Sequence, residues 1–344
     1  MRTPSTYLRS VGVYLPAIVG LRTAIAQGRY PADEAEYLRL GGAAATIDVP
    51  APELALRAAQ HAFERSGGLS PADLDLVLYT DAWQQSPVSW QPRRYLQQHL
   101  TGGSVLAIEL RHGCCGMFCA LELAAAYLHP GSARRAALLV GADDQQEPED
   151  DGDEWRLTAG DMLGHAGCAL LITTDGGFAE VLSVTSTRHY EAEPLQETLL
   201  QLVRRTLSEA GITGSDVAKV AVPHGRRAGL PKGALASLGL TTADTTWEYG
   251  ASIGHLGVCD QFVALDHLLA TGALRSGDHV LLIGHGAGHT LSCAALSVLD
   301  IPSEYAGRKA GHGAVLPGRV SSSTQFRYAA DPATIGTATI SGSS

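Results

Sequence analysis

The chain repeats its own grammar, and that constrains its fold more than any other feature. A helical pattern over residues 53–66 runs into Gly67-Gly68-Leu69-Ser70-Pro71-Ala72-Asp73-Leu74-Asp75 and an apolar strand over 76–79. A second helical pattern over 195–209 runs into Gly211-Ile212-Thr213-Gly214-Ser215-Asp216-Val217 and a strand over 220–223, an offset of about 143 residues. The same offset returns where Gly131-Ser132, Arg135 and Leu138-Leu139-Val140-Gly141 match Arg275-Ser276-Gly277 and Leu281-Leu282-Ile283-Gly284. Between these pieces lie Gly113-Cys114-Cys115-Gly116 and Gly254-His255-Leu256-Gly257, each opening an apolar helix. Apolar strands alternate with amphipathic helices, so the order predicts an α/β fold made of a duplicated βαβ-type unit, each half a mostly parallel sheet flanked by helices. The expected divisions are an N-terminal half over 1–178, a C-terminal half over 179–301, and a weakly ordered tail over 302–344, rich in Gly, Ser, Thr and Ala.

Within that frame, His112-Gly113-Cys114-Cys115-Gly116-Met117 sits between the apolar run 105–110 and the alanine-rich segment 118–128. It reads as strand, tight glycine turn, then helix. A cysteine in the first turn of a helix meets unpaired backbone N–H groups and the helix dipole, both of which favour a thiolate. The competing reading is an ordinary buried cysteine, since free Cys is among the most buried residue types. A pseudo-twofold duplication would bring the two glycine-flanked helix starts together, so that the cysteine and His255 face one pocket.

At 344 residues, 45% hydrophobic and 17% charged, the chain has the make-up of a globular protein with a full core. A formal net charge of −10 argues against nucleic acid or an anionic membrane as partner. The six cysteines form no CxxC pair, which leaves neither a metal site nor a disulfide frame and fits a reducing, cytoplasmic compartment. Residues 11–25 faintly mimic a signal peptide, but Arg9, Pro16 and Arg22 interrupt the pattern. No apolar run of 18 residues occurs, so neither export nor membrane spanning is expected.

The motifs, in order, resemble the ketoacyl synthase III branch of the thiolase superfamily from about residue 7 to residue 299. They are Gly113-Cys114-Cys115-Gly116-Met117, Val222-Pro223-His224, the segment from Glu248-Tyr249-Gly250 to Asp260, and Gly284-His285-Gly286-Ala287-Gly288. The resemblance implies a duplicated five-layer αβαβα fold of two pseudo-symmetric halves with mostly parallel or mixed sheets, a homodimer, and an acyl-enzyme on Cys114, with Cys115 its buried neighbour. It also implies an oxyanion site from the backbone N–H of Cys114 and one from the Gly286-Ala287-Gly288 turn, at Ala287. One departure bears on the chemistry. Ketoacyl synthases of this branch carry an asparagine where this chain has His255, followed here by Asp260. That pattern resembles the ketosynthase III-like acyltransferases of polyketide and other natural-product pathways, antibiotics among them. It gives a triad of Cys114 nucleophile, His255 base and Asp260 orienter, with His224 a second candidate base.

The resemblance therefore implies an acyltransferase that moves an acyl group from an acyl carrier protein or coenzyme A thioester, through Cys114, to an oxygen, nitrogen or sulfur acceptor. A priming, decarboxylating β-ketoacyl synthase and a non-catalytic partner subunit are the alternatives. No bound cofactor is expected, the phosphopantetheine arm arriving with the donor. Residues 36–45, where coenzyme A-loading relatives have a tryptophan and then basic residues, read Tyr37 and a run of alanines, which predicts weak binding of a nucleotide end. Arg226, Arg227 and Lys232 are candidates to meet an acidic carrier protein. The acidic run from Asp143-Asp144 to Glu154 reads as a solvated loop, a candidate attractor for a cationic acceptor.

Overall fold

Strand residues here alternate between two different helical layers, so almost every strand position is covered. In β6 (Ala136–Asp143) and β7 (Ala166–Thr173) all residues are buried. The computed structural model describes residues 1–27, 41–45, 49–83, 91–103, 105–129, 131–144, 162–190, 194–225, 231–286 and 289–305, all within one unit spanning 1–313. The other strands are β1 (Tyr7–Tyr14), β2 (Ile18–Gly20), β3 (Gly42–Ala44), β4 (Leu76–Asp81), β5 (Leu106–Arg111), β8 (Ala179–Arg188), β9 (Val217–Ala221), β10 (His279–Gly286) and β11 (Thr290–Val298). The helices are α1 (Leu21–Ala26), α2 (Ala51–Glu64), α3 (Pro92–Leu96), α4 (Gly116–Tyr127), α5 (Leu195–Ala210), α6 (Lys232–Ser237), α7 (Trp247–Ile253) and α8 (Asp260–Ala270).

Nine strands form one sheet in the order β5-β4-β6-β7-β1-β8-β11-β10-β9. The duplication is visible in that order, because β4-β6-β7-β1 is mirrored by β9-β10-β11-β8. The halves meet at β1 and β8 through a short antiparallel pairing, Tyr7 with Glu180 and Leu8 with Ala179. Of the expected mostly parallel or mixed arrangements, the sheet is mixed. Only β5-β4, β4-β6 and β9-β10 run parallel; β6-β7, β7-β1, β11-β8 and β10-β11 are antiparallel. Crossover helices α4 and α8 enforce the parallel neighbours β5-β4-β6 and β9-β10, whereas the few residues between β10 and β11 permit only a hairpin.

Alternation then builds five layers. Leu282 of β10 and Leu139 of β6 point inward to Met117, Leu121, Phe262 and Leu265 on the central helices α4 and α8. Their neighbours Leu281 and Ile283 point outward to Leu199, Leu202 and Val203 of α5, while Leu138 and Val140 point outward to Leu54 and Ala58 of α2. Helix α2 lies almost on the strand backbone. A Cβ at Gly12 would stand 2.1 Å from the Ala58 carbonyl oxygen and one at Gly167 2.2 Å from that of Leu54. The αβαβα architecture holds as expected.

The halves also share turns. Ser70 with Asp73 and Thr213 with Asp216 form the same reciprocal capping box ahead of β4 and β9. One repeat assignment changes. The counterpart of the 3-10 turn Gly113–Cys115 is Gly257–Cys259, not residues 254–257; Gly113 (φ 55°) and Gly257 (φ 60°) share a left-handed conformation. Val258 therefore stands where Cys114 stands in the first half, and His255 precedes the turn. At the C-terminal end, the segment expected to be tail begins inside the body: Tyr305 is buried and its hydroxyl accepts the Val11 N–H at 2.7 Å. Residues from 306 onward lie outside the described residues.

Candidate active site

Cys114 is placed by backbone that few other sequences could supply. After β5 the chain turns through Gly113 in the left-handed region, which favours glycine, and enters α4 at Gly116. A Cβ on Gly116 would lie 2.0 Å from Thr80 Oγ1, so that glycine lets the turn press against β4. From the other half β10 closes over the turn, where a Cβ on Gly286 would come within 3.3 Å of the Cys114 nitrogen and 3.1 Å of the Cys115 nitrogen. The two cysteines then differ in surroundings. Cys114 is 9% exposed, whereas Cys115 is fully buried with its thiol toward the Thr290 carbonyl. Burial pushes the Cys115 thiol up to about 12.

The second half supplies the partners. Just before the turn into α8, His255 is held by its backbone: its N–H donates to the Met162 carbonyl at 2.8 Å and its carbonyl accepts from the Gly164 N–H at 2.8 Å. Its Nε2 stands 3.3 Å from Cys114 Sγ and its Nδ1 2.6 Å from Asp260 Oδ2. Trp83 presents an edge to the imidazole, ring centroids 6.2 Å apart. The structure thus brings Cys114, His255 and Asp260 into one line.

Asp260, first residue of α8, is buried and accepts three hydrogen bonds, with the His224 ring close by. Oδ2 accepts from His255 Nδ1 and, at 2.8 Å, from the His224 backbone N–H. Oδ1 accepts from the Leu256 N–H at 2.7 Å and faces His224 Nδ1 at 3.3 Å. Burial works against its charge, but the two histidines and these donors outweigh it, and its carboxyl lies below the ordinary aspartate range. For His255 burial likewise opposes the charged form; the Asp260 carboxylate, then negative charge at Cys114, overcome it and hold the imidazole well above its usual value. His224 runs the other way, since burial lowers its proton affinity. Its side chain has no exposed surface, and it sits behind Asp260 against Tyr249, ring centroids 6.1 Å apart.

Other expectations fare unevenly. Asp143 and Asp144 are not part of a solvated loop. Asp143 is fully buried and accepts the Ala82 and Val258 N–H groups at 2.9 Å each, tying β4 to the Gly257 turn. Asp144 accepts the Ala51 N–H at 3.0 Å, at the start of α2. The signal was available, since the pair stands at the very end of an apolar strand, where carboxylates meet loop and helix N–H groups. Ala43 and Ala44 are buried in β3, and Lys232 is exposed at the start of α6. Tyr37, Arg226, Arg227, Glu147 to Glu154 and Ala287 lie outside the described residues. Sequence reasoning missed Trp83 and the contacts of His224 with Asp260. No cluster suited to a metal ion occurs among the described residues, and none of their helices is long and apolar enough to cross a membrane.

With this geometry in hand, similarity to known proteins is informative. Residues 207–298 match the sequence signature of the C-terminal part of 3-oxoacyl-[acyl-carrier-protein] synthase III. The beta-ketoacyl-[acyl-carrier-protein] synthase III 2 of Streptomyces avermitilis is 29% identical over 316 residues, covering 83% of this chain and 98% of that protein. Among solved structures, ChlB3, described as an acyltransferase, is 43% identical with a TM-score of 0.80, over 86% of this chain and 98% of its own. The 3-oxoacyl-[acyl-carrier-protein] synthase III of Aquifex aeolicus VF5 has a TM-score of 0.73 at 19% identity, over 85% of this chain and 99% of its own, a likeness of fold.

Proposed function

Because this chain belongs to the ketoacyl synthase III branch of the thiolase superfamily, we propose that it is an acyltransferase that works through an acyl-enzyme on Cys114. The observation that carries this reading is the continuous path from Cys114 Sγ to His255 Nε2 at 3.3 Å and from His255 Nδ1 to Asp260 Oδ2 at 2.6 Å. A carboxylate behind an imidazole makes it a base for a hydroxyl, amine or thiol, whereas the asparagine of the condensing relatives carries no such proton affinity.

In the first half-reaction the Cys114 thiolate attacks the carbonyl carbon of a carrier-protein or coenzyme A thioester. The developing oxyanion is received by the Cys114 N–H and by the Ala287 N–H that the family resemblance assigns to it. Collapse breaks the C–S bond to the donor, whose departing thiolate takes the proton held on His255. Acylation removes negative charge from Cys114, which was one of the influences raising His255, so the imidazole is then better able to stay neutral. In the second half-reaction His255 removes the acceptor's proton as its heteroatom attacks the thioester. The tetrahedral adduct expels Cys114 as thiolate, and the acyl acceptor leaves with the proton still on His255.

The 43% identity to ChlB3 favours transfer over condensation, and natural-product tailoring is the setting we assign. The likeness to beta-ketoacyl synthases keeps decarboxylative condensation as the outcome to test against. We further propose a homodimer through β5, a sheet edge on which Leu106 (49%) and Ile108 (39%) are exposed.

Intact-protein mass spectrometry after incubation with acyl thioesters tests the reading. One acyl mass, absent in Cys114→Ala and discharged by a nucleophilic acceptor, is expected. No adduct from any carrier-bound or coenzyme A donor would favour a non-catalytic partner subunit.

A further inference from the structure

His224 stands at a position where the sequence suggested a second base, yet its surroundings suit a different task. Its ring is sealed from solvent, with a T-shaped contact to Tyr249, which in turn stacks on His267 at 3.7 Å and 8°. Nδ1 is 3.1 Å from the Gly254 carbonyl oxygen and 3.3 Å from Asp260 Oδ1. Both neighbours are acceptors, so Nδ1 must carry the hydrogen. Nε2 is then a bare acceptor, and among the described residues it has no hydrogen-bond partner. The same residue also gives its backbone N–H to Asp260 Oδ2 at 2.8 Å. One residue thus touches both carboxylate oxygens, through main chain and side chain.

Space for this is made by a glycine. A Cβ on Gly250 would lie 2.4 Å from His224 Cδ2, so α7 can carry no side chain there while the ring is seated. The Gly254 carbonyl joins the arrangement to His255, its immediate neighbour in sequence.

We propose that His224 is a positioning residue: its backbone N–H, which Oδ2 accepts, and its Nδ1–H, seated on the Gly254 carbonyl and facing Oδ1, hold the Asp260 carboxylate in the orientation that aims His255 at Cys114. His224 takes no proton from substrate in this role. The inference rests on the triad reading above but concerns only how the triad is held.

The experiment measures alkylation of Cys114 by iodoacetamide across pH, read as intact mass on the full chain. It requires no acyl donor, so the absence of acylation by every thioester would overturn the acyltransferase reading and leave this result legible. The groups facing the clamp are Asp260, His255, Tyr249 and His267, and all are unchanged in the variants. His224→Ala keeps the backbone N–H but removes the Nδ1 donor with the rest of the ring, and the midpoint for alkylation should rise by about one unit with about a tenfold loss of rate near neutrality. His224→Asn places an amide donor near the Nδ1 position and should restore most of the profile; His224→Gln reaches only toward Nε2 and should not. The Asn and Gln variants decide the matter between themselves even if the Ala variant does not fold. Rescue by Gln rather than Asn, or an alkylation profile identical in all three variants and wild type, overturns the proposal.

Discussion

Replacing Asp260 by asparagine asks how much of the site's reactivity comes from one buried carboxylate. Asp260 accepts the His255 Nδ1 and His224 backbone donors on Oδ2 and the Leu256 N–H on Oδ1, which His224 Nδ1 also faces at 3.3 Å. An amide has one oxygen, so either orientation of the substituted side chain turns its NH2 toward at least one N–H donor. With NH2 toward His255, the imidazole must present a lone pair at Nδ1 and a hydrogen at Nε2, which can no longer accept the Cys114 proton. With NH2 toward Leu256, a buried backbone N–H loses its partner, at about 1–3 kcal/mol. In both orientations the charge that holds the His255 proton is gone; a charge-assisted hydrogen bond and its tautomer control together contribute about 3–5 kcal/mol. The acylation rate of Cys114 under single-turnover conditions should therefore fall by about a hundredfold to several thousandfold. Burial of an unpaired N–H should also lower thermal stability modestly. Quench-flow followed by intact-mass detection gives the rate, and a thermal scan separates loss of chemistry from loss of fold. An Asp260→Asn enzyme that acylates within about threefold of the wild-type rate would refute the role given to the carboxylate.

Three further outcomes follow from the structure. Gly257→Ala combines a left-handed backbone with a Cβ 1.9 Å from Asp143 Oδ2, and should destabilise by at least about 3 kcal/mol, whereas Gly102→Ala, equally left-handed but in open space, should cost about 1 kcal/mol; denaturant melts compare them. Arg65→Met strands the Asp266 carboxylate of a buried pair separated by 2.5 Å and should cost about 3–5 kcal/mol, much of it recovered in Arg65→Met with Asp266→Leu. Burial raises Asp81 to about 7, so its folded-state proton affinity exceeds that of the unfolded chain. The stability that comes from protonated Asp81 is complete below the ordinary aspartate range and is lost as pH rises toward 7. Asp81→Asn should therefore match wild type near pH 4 and melt higher at pH 8, by about 2–4 kcal/mol; equal melting at both pH values contradicts the assignment.

Much of the architecture could be read from the chain because repeated patterns report repeated packing. Alternating strands and the two turn boxes at Ser70 and Thr213 announce the duplication without any coordinates. Turn glycines mark the Cys114-Cys115 pair and His255 in the sequence, whereas the choice of Cys114 and the place of Asp260 depend on the family resemblance. What escaped depends on contacts between distant segments. Whether the Val222-Pro223-His224 imidazole faces substrate or Asp260 turns on Gly250, 26 residues later, being bare enough to admit the ring. Asp143 looked like the start of an acidic surface because its two N–H donors, Ala82 and Val258, come from opposite halves. The strand directions were only partly legible for a related reason: βαβ spacing specifies the parallel neighbours but not where β7, β1, β11 and β8 insert.

The account stands most directly on what happens to the acyl group once it is on Cys114. Enzyme first loaded with acyl thioester is offered, in separate reactions, a nucleophilic small-molecule acceptor and a malonyl carrier protein, while acyl-Cys114 mass and carbon dioxide are followed together. The account predicts discharge of the adduct to an ester, amide or thioester with no carbon dioxide above the Cys114→Ala background. Carbon dioxide released in step with loss of the adduct, together with a chain-extended β-ketoacyl product, would contradict it.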